Sequence, residues 1–332
     1  MLLNPLSIGL DIGNFSIKMV VIELRKRQPV VLAFEEQVLS TPILNDQHSV
    51  DHNILLSELR QIKRAIPKRA RRVSMALPDS AVISKVVHLD QQLSEQEKHI
   101  AVHQALATSS PFPVEDLQLD YFAVDMGEST STTTSTAYQV YACRKQTIAG
   151  RITALNKAKL RPSVMELKSH GLIWLADAQQ AALPTPQNWA VVDIGMKQSD
   201  FCVGVSGSQF YRREMPVAVA QVALGSPHFD WQHPDVMLCQ RLMQQLAEQL
   251  RRQIQLYNST HPQTPLNGIW LSGGANNLLD NELLARELEM PVQWADPFTV
   301  LRCHEKSTQA YPEQNYSRFG LAAGLALRGL QA

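Results

Sequence analysis

The chain has 332 residues, which allows two domains or one bilobed unit at roughly 100–200 residues per domain. Hydrophobic residues make up 45%, enough for sizeable cores, while 31 basic and 31 acidic residues cancel and leave no net field to draw in nucleic acid or an anionic membrane. The four cysteines are far apart, with no C-x-x-C pair; this argues against a disulfide framework or zinc site and for thiols in a reducing compartment.

The start, Met1-Leu2-Leu3-Asn4-Pro5-Leu6, lacks a basic n-region and a long apolar core. No run approaches the ~18–20 apolar residues that cross a bilayer. The expected location is therefore cytoplasmic. Residues 7–13 read as a short strand ending in Asp11-Ile12-Gly13. Ile17, Met19 and Val21 alternate along a second strand, and residues 29–34 give a third. Residues 53–66 have helical spacing and run into a basic stretch, Lys63 to Arg72. That stretch reads as a solvated connection, with contact to anionic headgroups as the alternative. Strands follow at 73–77 and 82–89. Ser94 with Glu97 forms a capping box for a helix that stops before Pro111-Phe112-Pro113. Strands at 117–126 and 137–143 flank a Ser/Thr-rich loop at 128–136, and a helix at 146–159 is broken by Arg161-Pro162.

Pro184-Thr185-Pro186 is the expected boundary between lobes. After it the opening pattern returns: a strand at 189–195 ending in Asp193-Ile194-Gly195, then strands at 200–205 and 209–214. A long amphipathic helix at 235–258 carries an apolar stripe of Met243, Ala247, Leu250, Ile254 and Tyr257. A short strand at 269–271 leads into Ser272-Gly273-Gly274-Ala275-Asn276, and a Gly- and Ala-rich helix at 319–330 closes the chain.

The repeat is the informative feature. Residues 8–22 and 191–205 lay over one another, each as strand, Asp-Ile-Gly, polar turn and strand. The turns supply Gly13, Asn14, Ser16 and Lys18 in the first copy and Gly195, Lys197 and Ser199 in the second. Glycine lets the backbone approach a phosphate, successive N–H groups make an anion-binding concavity, and serine and lysine add a donor and a charge. Asp11 and Asp193, at the strand ends, are suited to holding a hydrated Mg2+ through water. Gly273, Gly274 and Asn276 are placed to meet a nucleoside and the N-terminus of the next helix. The bland reading of one such hairpin is an ordinary β-turn. No residue stands out as a general base, so no catalytic residue is assigned.

Two such hairpins with a late Gly-Gly turn resemble the actin-like superfamily, which includes actin, sugar kinases, DnaK-type chaperones and FtsA. Residues 8–22, Pro111-Phe112-Pro113-Val114-Glu115 with Leu119-Asp120-Tyr121, residues 191–195, Leu271 to Ala275 and the Gly320 to Gly329 ending look, in that order, like the PilM family of the type IV pilus inner-membrane platform. The resemblance implies an α/β fold of duplicated actin-like (ribonuclease H-like) lobes, at 1–186 and 187–332. It implies an FtsA/PilM-type extra subdomain in the first lobe, at about 56–161. It implies ATP with Mg2+ in the interlobe cleft and a scaffold rather than an enzyme. The implied partner is the cytoplasmic N-terminal tail of a PilN-like single-span membrane protein, held in a groove between the first lobe and the extra subdomain, with pilus motor components beyond it. Membrane association would then be indirect. Residues 215–237 are short for the family pattern, which predicts a reduced second-lobe subdomain at about 215–265 and sets nucleotide-gated docking against constitutive docking. Two alternatives are an actin-like ATPase or kinase with turnover and a GspL-like or MSHA-type component. GspL proteins continue into a transmembrane helix, and the end at Ala332 without one argues for a separate subunit.

Overall fold

The computed structural model describes residues 4–124, 135–185, 187–204, 210–223, 235–304 and 316–332. The meander at the start is β1 (Leu6–Ile12), β2 (Ser16–Arg25) and β3 (Gln28–Val38). α1 (His52–Ile62) starts where the Asp51 carboxylate accepts from the Asn53 and Ile54 N–H groups. β4 (Arg72–Leu77) then runs parallel to β1. A separate unit follows: β5 (Val82–Asp90), α2 (Glu95–Ala107), β6 (Leu117–Ala123) and β7 (Ser135–Arg144). The Ser94–Glu97 capping box at the head of α2 is formed as the sequence predicts. α3 (Lys145–Lys157), β8 (Arg161–Leu167) and α4 (Lys168–Gln180) complete the first half.

The second half repeats the meander as β9 (Trp189–Ile194), β10 (Ser199–Gly204) and β11 (Phe210–Met215). It continues through α5 (Val219–Ala223), α6 (Val236–Thr260), β12 (Gly268–Gly273), α7 (Asn281–Leu288), β13 (Val292–Trp294), α8 (Pro297–Val300), β14 (Arg302–Cys303) and α9 (Gly320–Gly329). Strand order is β14-β3-β2-β1-β4-β8 in the first large sheet, β11-β10-β9-β12-β13 in the second, and β5-β7-β6 in the small one. The large sheets share one pattern, a meander with parallel strands added beside its first strand. The sequence duplication is therefore a duplication of architecture, with actin-like lobes.

Layers follow from burial. On β2, Ile17, Met19 and Val21 face a core with α1 and α3, while Val20 and Ile22 face α9. Both faces of the first sheet are thus covered. The second sheet packs Val192, Ile194, Phe201 and Leu271 against α5, α6 and α7. Its opposite face meets α4 and α9 through Leu172, Leu175, Leu321 and Leu325. α4 and α9 form the layer between the lobes. A fully buried leucine such as Leu325 contributes about 1.5–3 kcal/mol. Close packing there depends on small residues: a Cβ on Gly9 would collide with the Ala322 carbonyl, and one on Gly324 with the Gly171 carbonyl.

Several boundaries differ from the sequence-based ranges. Within 56–161, most of α1 and all of β4 and α3 belong to the first large sheet and its core, and the separate sheet spans Val82 to Arg144. Within 187–332, β14 pairs with β3 and α9 lies on the first sheet, so the far end of the chain closes the first lobe. Within 215–265, the described residues form α5 and α6, both packed on the second sheet with no sheet of their own. The stripe on α6 is core, as its periodicity predicts. Much of the loop at 128–136, the end of the strand expected to reach 126, and 225–234 lie outside the described residues. The basic stretch is partly structural: Lys63 Nζ donates to the Ala158 carbonyl at 2.6 Å, and Arg69 pairs with the buried Glu23.

One ionic cluster ties the middle layer to the first sheet. Glu166 on β8 lies 2.6 Å from His170 Nδ1 on α4 and 3.0 Å from Arg328 Nε on α9. Burial alone would raise the Glu166 pKa, but its contacts to His170, the Leu167 N–H and Arg328 outweigh this and hold it below the usual range. A depressed carboxylate contributes stability above its unfolded pKa and loses it as pH falls through the folded value. Unfolding free energy should therefore drop, as pH falls below about 4.5, less steeply in Glu166→Gln than in the native sequence. Parallel slopes in urea titrations across that window would remove this role.

Candidate functional site

Three turns meet over a cavity of ≈ 500 Å³ between the lobes: the β1–β2 turn, the β9–β10 turn and the turn after β12. Asp11, Gly13, Asn14, Ser16, Lys18, Asp193, Gly195, Lys197, Gly273, Gly274 and Asn276 all line it, so the structure brings these candidate residues together. The hairpins are built alike. Gly13 N–H donates to the Ser16 carbonyl at 3.0 Å, and Gly195 N–H to the Gln198 carbonyl at 3.1 Å. Gly273 sits at φ +100°, a region an L-residue avoids, and this turns the chain at the cavity wall. Gly274 faces open space.

Ser199 is a correction. It is fully buried, and its hydroxyl donates to the Val217 carbonyl at 2.6 Å. The reason is register. Ile12 pairs with Ile17, and Ile194 pairs with Ser199. Gln198, which lines the cavity, is therefore the counterpart of Ser16, and the sequence alignment of the two serines is one residue out. A one-residue slip sends a strand side chain to the opposite face. The expected helix N-terminus is also displaced. α7 begins at Asn281, well after the Gly-Gly turn, and Asp280 caps its first N–H groups away from the cavity lining.

The same register exposes residues that sequence reading missed. In the first lobe Asp11, Lys18 and Glu36 lie abreast on β1, β2 and β3. Lys18 Nζ is 3.8 Å from both carboxylates, Ser16 Oγ donates to Glu36 at 2.6 Å, and Arg318 Nε is 3.2 Å from Glu36. In the second lobe the corresponding row is Asp193, Asp200 and Glu214, with an aspartate where the first has its lysine. The missing cation arrives from Lys168, the first residue of α4. Its Nζ is 2.8 Å from Asp193 Oδ2 and 2.6 Å from Asp200 Oδ2. Burial alone would lower the Lys168 pKa, but the two aspartates outweigh it and hold the ammonium charged well above its ordinary range. Burial raises the Asp200 pKa despite Lys168, and Asp193 adds to the rise. Burial likewise raises Asp11, against the pull of Lys18. Lys197 reaches across the opening to Asp46 at 3.8 Å.

The cavity thus offers lysines from three elements, a concave backbone at two turns and a wall of Gly273, Gly274 and Asn276. That chemistry suits a polyanion bearing a flat group. The donor set for a hydrated Mg2+ is a poorer fit. Asp193 is engaged by an ammonium at 2.8 Å, Asp11 has Lys18 at 3.8 Å, and no group of three or more metal-holding side chains occurs among the described residues.

A second surface lies on the face of the small sheet opposite α2. Val140 and Ala142 on β7 face the α2 core, so Gln139 and Tyr141 face away from it. There Phe122 and Tyr141 have ring centroids 6.1 Å apart, Tyr141 and His170 5.9 Å, and His170 and Phe210 4.5 Å. This aromatic row runs from the small sheet over α4 to β11. Phe122 is 49% exposed and Val86, on the same face, 38%.

Comparison with known proteins gives concordant results. The family model described as Type IV pilus assembly protein PilM matches residues 9–223 and 235–330. A solved PilM-PilN type IV pilus biogenesis complex is similar over 98% of this chain and 99% of the compared chain, with a TM-score of 0.77 at 21% identity. The ethanolamine utilization protein EutJ from Carboxydothermus hydrogenoformans matches with a TM-score of 0.48 at 13% identity, over 98% and 90% of the two chains. The cytoplasmic domain of EpsL, an inner-membrane component of the Vibrio cholerae type II secretion system, matches with a TM-score of 0.46 at 12% identity, over 98% and 95%. The last two are too remote to carry weight.

Proposed function

The chain belongs to the PilM family of type IV pilus assembly proteins, and on that premise we propose that it works as a docking platform gated by nucleotide. It captures the cytoplasmic N-terminal tail of a PilN-like single-span membrane protein. ATP, or a nucleotide of that class, occupies the interlobe cleft. The observation that carries the reading is the family match over nearly the whole chain, together with a cleft lined by both duplicated hairpins. No helix among the described residues is long and apolar enough to cross a membrane, so the captured tail would supply the anchor.

The aromatic row is the proposed docking face. It joins the small sheet to α4, and the N-terminus of α4 carries Lys168 into the cleft. Tail and nucleotide therefore bear on the same first turn of α4, through His170 and Lys168. Thermodynamic linkage requires that each change the other's affinity by the same factor. The test is calorimetric titration with a peptide copying a PilN-like N-terminus, with and without ATP. Phe122→Ser should weaken the peptide by about tenfold or more, as for loss of an aromatic anchor, while the melting temperature stays put. Absence of peptide binding to the native chain would sink the docking reading, and unchanged binding to Phe122→Ser would move it off this face.

A further inference from the structure

We propose that the Lys168 ammonium takes the place of a divalent cation in this cleft, so that nucleotide phosphates are held there without Mg2+. The inference rests on the reading of the cleft as a nucleotide site and specifies how that site is charged.

Two rows of side chains lie abreast on the meanders. The first, Asp11–Lys18–Glu36, contains its own counter-charge. The second, Asp193–Asp200–Glu214, is acid beside acid beside acid. Like charges directly opposite on neighbouring strands repel, and burial sharpens the repulsion. Asp193 and Asp200 are 6% and 4% exposed, so water does little to relieve them. A cation is required, and the fold brings one in from the other lobe. The β8–α4 junction places Lys168 between the pair, one carboxylate oxygen from each within 2.8 Å.

A hydrated divalent ion held through water by Asp11 and Asp193 would need those same carboxylate faces. It would also face the fixed ammonium on Asp193 and that of Lys18 beside Asp11. Two charges of like sign held this close disfavour each other. The lysines instead do the work of the ion. Lys18, Lys168 and Lys197 line one cavity from β2, α4 and the β9–β10 turn. They supply compact point charges, each with three donors, for phosphate oxygens.

The deciding experiment uses the full chain and sodium ATP, titrated by calorimetry in EDTA and again in excess MgCl2. The expected dissociation constants agree within about threefold, since Mg2+ adds no contact. Binding that tightens by about tenfold or more with Mg2+ would overturn the inference and leave the nucleotide reading standing. No binding in either condition would overturn both. The Lys168→Met/Asp200→Asn double variant removes the ammonium and one carboxylate while keeping Asp193. Once thermal melting shows it folded, it should bind ATP at least about tenfold more weakly in EDTA and recover part of the loss when Mg2+ is added. If it binds metal-free ATP as well as the native chain does, Lys168 is not the substitute cation.

Discussion

A Gly324→Val variant is expected to lose about 3 kcal/mol or more of unfolding free energy, seen as a lower urea midpoint at unchanged slope. Residue 324 sits where α9 crosses α4. A side chain there would drive into the Gly171 carbonyl and approach the Leu175 nitrogen at 3.2 Å. Both obstacles are backbone of a packed helix, so neither can rotate away. The other side of α9 is equally tight, because Gly9 on β1 leaves no room beside Ala322 and Ala326. The helix is wedged between a strand and a helix and cannot retreat from either. Gly274→Ala is the matched control: its added methyl meets nothing within 4 Å, and its cost should stay within about 0.5 kcal/mol. Native-like melting of Gly324→Val would mean that α9 is not seated as described.

The second large effect is electrostatic. Lys168→Met should cost about 3–5 kcal/mol, the usual penalty for removing one partner of a buried ion pair. The lysine side chain is 15% exposed and the two aspartate side chains, taken without their backbone, 9% and 6%, so solvent does little to soften the loss. Adding Asp200→Asn to that variant should restore part of the stability by removing the remaining repulsion with Asp193. The pH dependence has a definite sign. A lysine whose folded pKa is raised contributes fully below its unfolded pKa and loses that contribution as pH rises through the folded value. The folded value lies well above the ordinary one, so the deficit of Lys168→Met should be flat between about pH 6 and 9. A double variant no more stable than the single one would refute the charge argument.

What the sequence made legible, and what it hid, follows from local signals. The Asp-Ile-Gly hairpins announced themselves because strand, glycine turn and strand are close in the chain. The α2 capping box and the α6 stripe were legible for the same reason. The segment from β8 to α4 was not. Arg161-Pro162 reads as a helix breaker, yet β8 is an edge strand, where proline removes no needed hydrogen bond. α4 then begins at Leu167, whose own side chain makes no cap; the first-turn Ser169 N–H is met instead by Asp79, distant in the chain, and Gly171 lies in the helix interior. Its buried face packs between the lobes. Lys168, the cation at the centre of the site, precedes the Leu172, Leu175, Ala176 and Gln179 spacing that marks the helix, and nothing local shows what it faces. The register error at Ser199 has a different origin: residue identity matched serine to serine, whereas the hydrogen-bonded turn matches Ser16 to Gln198. Asp200 was readable as a strand residue, but its place opposite Asp193 required the pairing. The extent of the extra unit was misjudged because α1 and α3 flank it in sequence while packing under the first sheet.

The small sheet enters the first lobe at Val82 and leaves through Cys143, and these two residues are direct cross-strand neighbours on β5 and β7. The unit therefore hangs from the lobe like a plug on paired wires, its entry and exit about 5 Å apart. Such a module can be cut out and its stumps rejoined by a few residues without stretching the host. A chain shortened in this way would retain both hairpins, the Gly-Gly turn and Lys168, and would lose the strands that carry Phe122 and Tyr141. Under the proposed function, the cleft and the strands that carry Phe122 and Tyr141 would then lie in separable pieces of one polypeptide.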